Sequence, residues 1–333
     1  MPEFRQNIAT RDWVIIATDR AKRPQTLAVN GATSPIELPS HDEKCPFCIG
    51  NEELDLETDR IPKDPTQPWQ VRAVRNKYPA LSEDINFHRS FTNVERRISG
   101  LGYHEVIIEH PAHNTTLALM EPDEIALFFE IVYRRGWKIS EDPRIEYIVY
   151  FRNHGERAGA SLVHPHSQII ALPVVPNVIR KRTEEARRYF DDTGQCVYCA
   201  MMHNELEHKA RVVVSSQYFI AFVLYAAPTP FHMWIMPLRH DVSFLYTKQE
   251  ERIDLANVIK QVLAKLYIGL NNPAYNLIVR SSPIKEIEND YLHWYITLVP
   301  RLSRTAGFEL GSGIHINPTL PEACAEFLRG VNI

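Results

Sequence analysis

Two segments of this chain show the same order of hydrophobic patterns, and this internal duplication restricts the possible folds more than any other feature of the sequence. In the first segment, residues 104–109 alternate like a β-strand and a helix follows from Pro122. Residues 145–150 and 168–173 then predict two further strands. The predicted helix has one apolar face, which carries Ile125, Phe128, Phe129 and Val132.

The second segment repeats the order strand, helix, strand, strand. Residues 231–236 predict the first strand, and residues 247–250 read as a capping box that begins a helix. Residues 275–279 and 291–299 predict the closing pair of strands. The predicted helix has an apolar face formed by Ile253, Ala256, Ile259, Val262 and Leu266.

Strands outnumber helices, and some neighbours are close enough in sequence for antiparallel pairing, so the pattern predicts an α+β fold. We expect two duplicated units and a mostly antiparallel sheet flanked by helices. The 333 residues fit two domains, which we place at residues 1–175 and 190–333, with a charged helical connector in 174–192. Residues 24–44 and 49–68 are rich in Pro, Asp, Glu and Thr and predict long loops.

The composition is that of a soluble globular protein, with 44% hydrophobic and 23% charged residues. The net charge of −4 argues against sequence-independent binding to nucleic acid. The sequence begins without a basic, apolar leader pattern, and it contains no run of about 20 apolar residues. We therefore expect a cytoplasmic protein that binds neither nucleic acid nor membrane.

A short histidine string is the most informative motif for function. Residues two apart on a strand face the same side, so His164, His166 and Gln168 are predicted to line up. Glycines and other small residues precede them in 155–161, where backbone N–H groups could approach a phosphate. A nucleophile beside a phosphate site is indicated, because a neutral imidazole can attack phosphorus and carry a transferred group.

This string, with Asn153 and Gly159-Ala160-Ser161 ahead of it, resembles galactose-1-phosphate uridylyltransferase, a family of the histidine-triad superfamily. The resemblance extends from about Arg20 to about Pro300 and implies a duplicated α+β unit. It implies that the histidine matching His166 attacks UDP-glucose and releases glucose 1-phosphate. Galactose 1-phosphate then takes the uridylyl group. The implied partners are a nucleotide sugar, a sugar 1-phosphate and a second copy of the chain in a homodimer.

The resemblance also implies roles for other residues. Gln168 would bind the transferred phosphoryl group, where fixed donors help most, and Ser161 and Gly159 would contact the sugar phosphate. Asn153 would orient the histidine or the phosphates. The segments that match the nucleotide-binding loops of the family carry Arg20, Arg23 and Asn76.

The first metal-binding pattern is the pair Cys45 and Cys48, which has the spacing of a zinc half-site. His110 and His113 both follow the first strand of the first unit, and the family resemblance implies His113 with His164 as the completing ligands. A closed, structural zinc site would then lie next to the nucleophile. A redox role of the cysteine pair is the alternative.

A second pair, Cys196 and Cys199, comes early in the second half, and the duplication helps to choose its partners. His240 follows the first strand of the second unit much as His113 follows that of the first. His293 lies seven residues before Pro300, as His166 lies seven residues before Pro173, so we choose His240 and His293. We predict zinc in this site, with iron as the alternative, because two thiolates favour zinc. The histidines from which these two ligands are chosen are His203, His208, His232, His240 and His293.

One stretch departs from the family pattern. Residues 307–313 lack the sugar-binding residues of typical uridylyltransferases and resemble a branch that includes plant ADP-glucose phosphorylase. We therefore predict a hexose-1-phosphate uridylyltransferase, with an adenylyl-transferring phosphorylase as the alternative. A histidine-triad hydrolase stays possible from sequence. A zinc-ribbon binding module is disfavoured, because its ligand pairs would be local and the histidine string would have no role.

Overall fold

The computed structural model describes residues 1–22, 37–286 and 289–333. Within these ranges, a ten-stranded antiparallel sheet forms the centre of the molecule, three strands form a small sheet and two form a hairpin. The strands are β1 (Glu3–Gln6), β2 (Trp13–Ile16), β3 (Glu57–Ile61), β4 (Val71–Arg75), β5 (Arg89–Thr92), β6 (Glu95–Ile98), β7 (Tyr103–Ile108), β8 (Tyr147–His154), β9 (His166–Leu172), β10 (Val212–Ser215), β11 (Phe219–Val223), β12 (Met233–Pro237), β13 (Tyr275–Arg280), β14 (Tyr295–Pro300) and β15 (His315–Asn317).

The helices lie against this sheet and at its ends. Helices α1 and α4 pack against each other, and both also pack against strands of the large sheet. The helices are α1 (Pro122–Ser140), α2 (Asn177–Thr193), α3 (Val197–His208), α4 (Gln249–Gly269), α5 (Gly307–Ser312) and α6 (Pro321–Arg329). Among the described residues, no helix has both the length and the apolar character needed to cross a bilayer.

The large sheet contains both predicted units. Its strand order is β10-β11-β12-β14-β13-β8-β9-β7-β4-β3, so β7, α1, β8 and β9 form one unit and β12, α4, β13 and β14 repeat it. The units join where β8 pairs with β13, from Tyr275 opposite His154 to Val279 opposite Tyr150. The α+β class with a mostly antiparallel sheet flanked by helices is therefore confirmed.

The predicted apolar helix faces form much of the core. In α1 the four predicted residues are all buried. In α4 the prediction was wrong for Ile253, which is 45% exposed, while Leu255 and Val258 are buried. The buried face is wider than predicted, because α4 packs against both the sheet and α1.

Several predicted boundaries and one predicted loop were also wrong. The helix α4 begins one residue later than the capping box at 247–250 implied, and the Lys248 N–H donates to the Glu251 carboxylate at 2.8 Å. Residues 291–294 precede β14 instead of belonging to it, because there the chain turns and the Trp294 N–H donates to the Asp241 carbonyl at 2.8 Å. The predicted loop at 49–68 contains β3, a polar strand at the edge of the sheet.

Candidate active site

The histidine string lies at the start of β9. His164 lies two residues before this strand starts and is fully buried, and His166 and Gln168 occupy alternate positions on the strand. Between them, Ser167 faces the other side of the sheet, where its Oγ donates to the Glu109 carboxylate at 2.5 Å. The pleat of the strand therefore brings His166 and Gln168 to one face, as the spacing predicted.

The ring of His166 is fixed with one nitrogen free. Its Nδ1 lies 2.8 Å from the His164 carbonyl oxygen, and since that oxygen can only accept, Nδ1 carries the hydrogen and Nε2 of the neutral ring has the lone pair. Burial lowers the pKa of His166, which keeps the ring neutral. This arrangement suits a nucleophile.

Two cavities meet at His166, and both are also lined by Ser161 and Leu162. The larger, of about 670 Å³, has a mixed lining that includes the cationic Arg157 and Arg304. The smaller, of about 390 Å³, has an apolar wall and carries the side chains of Asn76 and Gln168. The apolar wall includes Phe47, Leu56, Val74, Val106 and Ile108. His166 is therefore a lining residue of two neighbouring cavities.

The loop before the string is held by the second unit. Gly155 and Gly159 have φ values of +80° and +90°, a backbone region open to glycine. From β13, Asn276 donates to Asn153 Oδ1 at 2.8 Å and to the Ala158 carbonyl at 2.9 Å. Asn153 lines the larger cavity, so its orientation depends on a residue that the sequence did not single out.

A buried ion pair lies on the other side of the strands that carry the site. Glu109 is 0% and Arg152 2% exposed, and Arg152 Nε lies 2.9 Å from Glu109 Oε1. Such a pair repays its desolvation only when its remaining groups are hydrogen-bonded, and here Ser167 donates to Glu109 while Arg152 donates to the Tyr275 hydroxyl at 2.9 Å. The sequence analysis did not single out this pair, because Arg152 lies two residues beyond the strand predicted at 145–150.

The structure does not bring every predicted binding residue to His166. Arg20 lies in a short 3-10 turn at Thr18–Lys22 and does not line either cavity. Arg23 lies outside the described residues. Gly159 supports the loop without lining a cavity, and its carbonyl lies 3.5 Å from Asn153 Nδ2.

The first cysteine pair joins the two histidines that the family resemblance implied. The ligand atoms of Cys45, Cys48, His113 and His164 lie within 4.8 Å of one another, and all four residues are buried. Cys48 Sγ is 3.6 Å from Nδ1 of each histidine. A sulfur and a nitrogen that bind the same tetrahedral zinc ion are expected to lie about 3.6 Å apart. Burial raises the pKa of the Cys45 thiol to about 11 and lowers the pKa of His164 to about 4.

The second cluster repeats the first. Cys196, Cys199, His240 and His293 gather within the same 4.8 Å limit, and Cys199 Sγ lies 3.2 Å from His240 Nδ1 and 3.4 Å from His293 Nδ1. Hydrogen bonding from Cys199, then from the two histidines, lowers the pKa of Cys196. This cluster is less enclosed, because His240 is exposed.

Both clusters have the surroundings that a metal-binding histidine needs. His164 Nε2 donates to the His110 carbonyl at 2.8 Å, and His293 Nε2 donates to the Pro237 carbonyl at 3.1 Å. Each bond leaves Nδ1 unprotonated and turned toward the cysteines. The donor sets therefore fit a metal ion, and His110 takes part through its carbonyl, not its ring.

Comparison with known proteins gives matches over the whole chain. Residues 1–176 match the family model for the N-terminal domain of galactose-1-phosphate uridyl transferase, and residues 182–319 match that for its C-terminal domain. ADP-glucose phosphorylase of Arabidopsis thaliana is 37% identical, with 100% of this chain and 93% of that protein covered. Galactose-1-phosphate uridylyltransferase of Thermotoga maritima is 30% identical, with 100% and 99% covered.

Solved structures agree with these matches. The crystal structure of the Arabidopsis thaliana ADP-glucose phosphorylase with bound ADP-glucose has a TM-score of 0.85 and 36% identity, covering 100% of this chain and 99% of that chain. A uridylyltransferase structure has a TM-score of 0.76 and 25% identity, covering 99% and 97%. The chain is thus a nucleotidyltransferase, and it belongs to the galactose-1-phosphate uridyl transferase family.

Proposed function

We propose that this protein transfers a nucleotidyl group from a nucleotide sugar to a phosphate-bearing acceptor through a covalent intermediate on His166. The observation that carries this proposal is His166, which lines both cavities and whose Nδ1 bond leaves Nε2 with the lone pair. A group bound to this nitrogen is within reach of both volumes. A donor and an acceptor can therefore use one nucleophile in turn.

The reaction has two displacements. First, the Nε2 lone pair attacks the phosphorus that bears the nucleoside; an N–P bond forms, the P–O bond to the sugar phosphate breaks, and the sugar phosphate leaves. The ring gains positive charge, and its Nδ1–H bond to the His164 carbonyl stabilises that charge. An acceptor phosphate oxygen then attacks the same phosphorus, and His166 leaves as a neutral ring.

Neighbouring side chains are assigned roles by their position. Gln168, in the smaller cavity, donates to the phosphoryl oxygens, where negative charge develops. Ser161, which both cavities share, contacts the phosphates, and Gly159 keeps the loop close to them. Asn153 and the cationic Arg157 and Arg304 face the larger cavity, which we assign to the leaving sugar phosphate and the incoming acceptor.

Adenylyl transfer from ADP-glucose to phosphate is the donor and acceptor pair that we favour. Its support is the 37% identity to an ADP-glucose phosphorylase over the full chain and the TM-score of 0.85 to the structure with bound ADP-glucose. Uridylyl exchange between UDP-glucose and galactose 1-phosphate is the second candidate, supported by 30% identity to a full-length uridylyltransferase.

Zinc is the metal that we assign to both clusters, because two thiolates and two imidazoles gathered within 4.8 Å of one another favour it. It would be held by the four side chains of each cluster and would hold chain segments together. The homodimer implied by the family resemblance stays a prediction, which the native mass of the protein tests.

The test is intact-mass analysis after incubating the protein with ADP-glucose or UDP-glucose, without acceptor. We expect an adduct of one AMP that phosphate discharges; a UMP adduct discharged by galactose 1-phosphate would select the second candidate. His166→Asn should form no adduct and lose more than about a thousandfold in turnover while keeping its metal content. An adduct on that variant would refute the assignment of the nucleophile.

A further inference from the structure

We propose that His104 is a positioning residue, which holds the Gln168 side chain with its amide nitrogen turned toward the reacting phosphoryl group. The inference rests on the proposed function, because it concerns the donor beside His166. His104 lies on β7 and Gln168 on the neighbouring β9, two residues apart in the antiparallel register. Their side chains meet at 2.8 Å, between His104 Nε2 and Gln168 Oε1.

The backbone decides which nitrogen of His104 carries the hydrogen. The Ala80 N–H donates to His104 Nδ1 at 3.1 Å, and since a backbone amide can only donate, Nδ1 has the lone pair. In the neutral ring the hydrogen is then on Nε2. Asn76 Nδ2 lies 3.1 Å from the same Nε2, but an amide nitrogen cannot accept, so in this tautomer that contact is not a hydrogen bond and Asn76 does not compete for the Nε2 hydrogen. Gln168 is therefore the acceptor of the Nε2 hydrogen.

This bond fixes the rotation of the Gln168 amide. The atom that faces Nε2–H must be oxygen, so the NH₂ group is on the other side of the amide. Gln168 and His166 line the same cavity, and among the described residues no acceptor for Gln168 Nε2 is found within hydrogen-bond distance. The amide is thus held as a donor before a phosphoryl group arrives, and donors fixed in advance are the effective ones.

The second unit contains a corresponding pair, His232 and Thr297, which lies away from His166. His232 Nε2 lies 2.7 Å from Thr297 Oγ1, and His232 precedes β12 in the register position that His104 holds on β7. The residue that corresponds to His166 is Tyr295, two positions after the metal-binding His293. A change at His232 therefore removes a similar contact from the fold without affecting the donor, and it serves as the matched control.

The experiment measures the rate of adduct formation on the full-length, metal-loaded protein with saturating ADP-glucose or UDP-glucose, whichever wild type uses. We expect His104→Ala to slow the maximal rate by about tenfold or more, with the half-saturating concentration little changed. The rate loss should be smaller than that of Gln168→Ala. His104→Gln, which keeps an N–H donor near the position of Nε2, should recover part of the rate. His232→Ala should keep the wild-type rate.

A double-mutant cycle separates positioning from general stability. In a Gln168→Ala background, His104→Ala should have little further effect, because the side chain that it positions is gone. A wild-type rate for His104→Ala, or the same rate loss in both backgrounds, would overturn the inference. Absence of any adduct in wild type would instead remove the proposed covalent mechanism, and this inference with it. If His104→Ala does not fold, the cycle is run with His104→Gln.

Discussion

At the scale of single residues, a backbone carbonyl determines which ring nitrogen of His164, His166 and His293 carries the hydrogen and which has the lone pair. His164 and His293 donate through Nε2, which leaves Nδ1 for a metal cluster. His166 donates through Nδ1, which leaves Nε2 unprotonated for the proposed attack on phosphorus. The sequence supplies the two-residue spacing of His164 and His166, but the division of roles depends on backbone carbonyls that no motif encodes.

A half-buried histidine that lines the larger cavity makes stability depend on pH. His154 stacks on Tyr275 with ring centroids 4.8 Å apart and lies 2.7 Å from Asn272 Oδ1. Burial, then the charge of Arg152, lowers the pKa of His154 from 6.5 to about 3. Between pH 6.5 and pH 3, His154 binds a proton in the unfolded chain but stays neutral in the folded chain. The free energy of unfolding should therefore fall as the pH falls toward 3, by up to about 1.4 kcal/mol per pH unit from this residue.

The variant His154→Gln tests this dependence, because glutamine keeps an N–H donor and does not titrate. Denaturant unfolding at a series of pH values from 7 to 4 should give the variant a shallower acid slope than wild type. The difference between the two proteins isolates His154, since both carry the same metal-binding residues. Equal slopes would show that His154 is not held neutral in the folded state.

At the scale of elements, the sequence predicted those helices and strands whose burial follows a simple period. The helix α1 is an example, because Ile125, Phe128 and Phe129 recur at helical spacing and are all buried. The edge strand β3 was missed, because its residues are polar and half-exposed on both sides. His104 and the pair of Glu109 and Arg152 were missed because their partners lie on other strands, and spacing along one strand does not give them.

The contact of α1 with β8 predicts an unfavourable glycine replacement. A Cβ on Gly136 would lie 2.3 Å from the Tyr150 hydroxyl and 2.8 Å from Leu245 Cδ2. Alanine normally favours a helix over glycine by about 1 kcal/mol, but overpacking costs about 1–3 kcal/mol. Gly136→Ala should therefore lower the free energy of unfolding, as measured by denaturant titration.

The neighbouring tyrosine supplies the control. The Tyr150 hydroxyl is buried with no hydrogen-bond partner among the described residues, so Tyr150→Phe should cost little. In the Tyr150→Phe background, the closest clash is absent and Gly136→Ala should cost less than in wild type. If Gly136→Ala lowers the free energy of unfolding equally in both backgrounds, the loss does not come from the contact with the Tyr150 hydroxyl.

The two metal clusters differ in how the elements enclose them, and this difference predicts two rates of metal loss. All four residues of the first cluster are buried, whereas His240 of the second is exposed. In a chelator challenge, one equivalent should leave quickly and the other slowly. Cys196→Ala should remove the fast phase, and Cys45→Ala should remove the slow phase and lower Tm, because structural zinc contributes folding free energy. An unchanged metal count in either variant would exclude that cluster as a site.

At the scale of the whole molecule, the two units share one sheet but differ at the position of the proposed nucleophile. The second unit has Tyr295 where the first has His166, and Arg182 of α2 donates to the Tyr295 hydroxyl at 3.2 Å. The connector between the units thus covers the surface that would correspond to the active site. The sequence predicted the connector as a charged helix, but its contact with β14 depends on how the duplicated units are arranged.

This shared sheet predicts that the first half does not function alone, although it contains His166 and the first metal cluster. Strand β8 pairs with β13 over five residue pairs, and Asn276 holds Asn153 at 2.8 Å. A fragment of residues 1–175 would leave β8 as a bare edge, which favours association with other chains, and its site loop would lose that support. We expect this fragment to aggregate or form no adduct, and co-expression with residues 176–333 to restore both solubility and adduct formation toward the level of the intact chain. A monomeric 1–175 fragment that forms the adduct at the intact-chain rate would show that the second unit is dispensable for the first displacement.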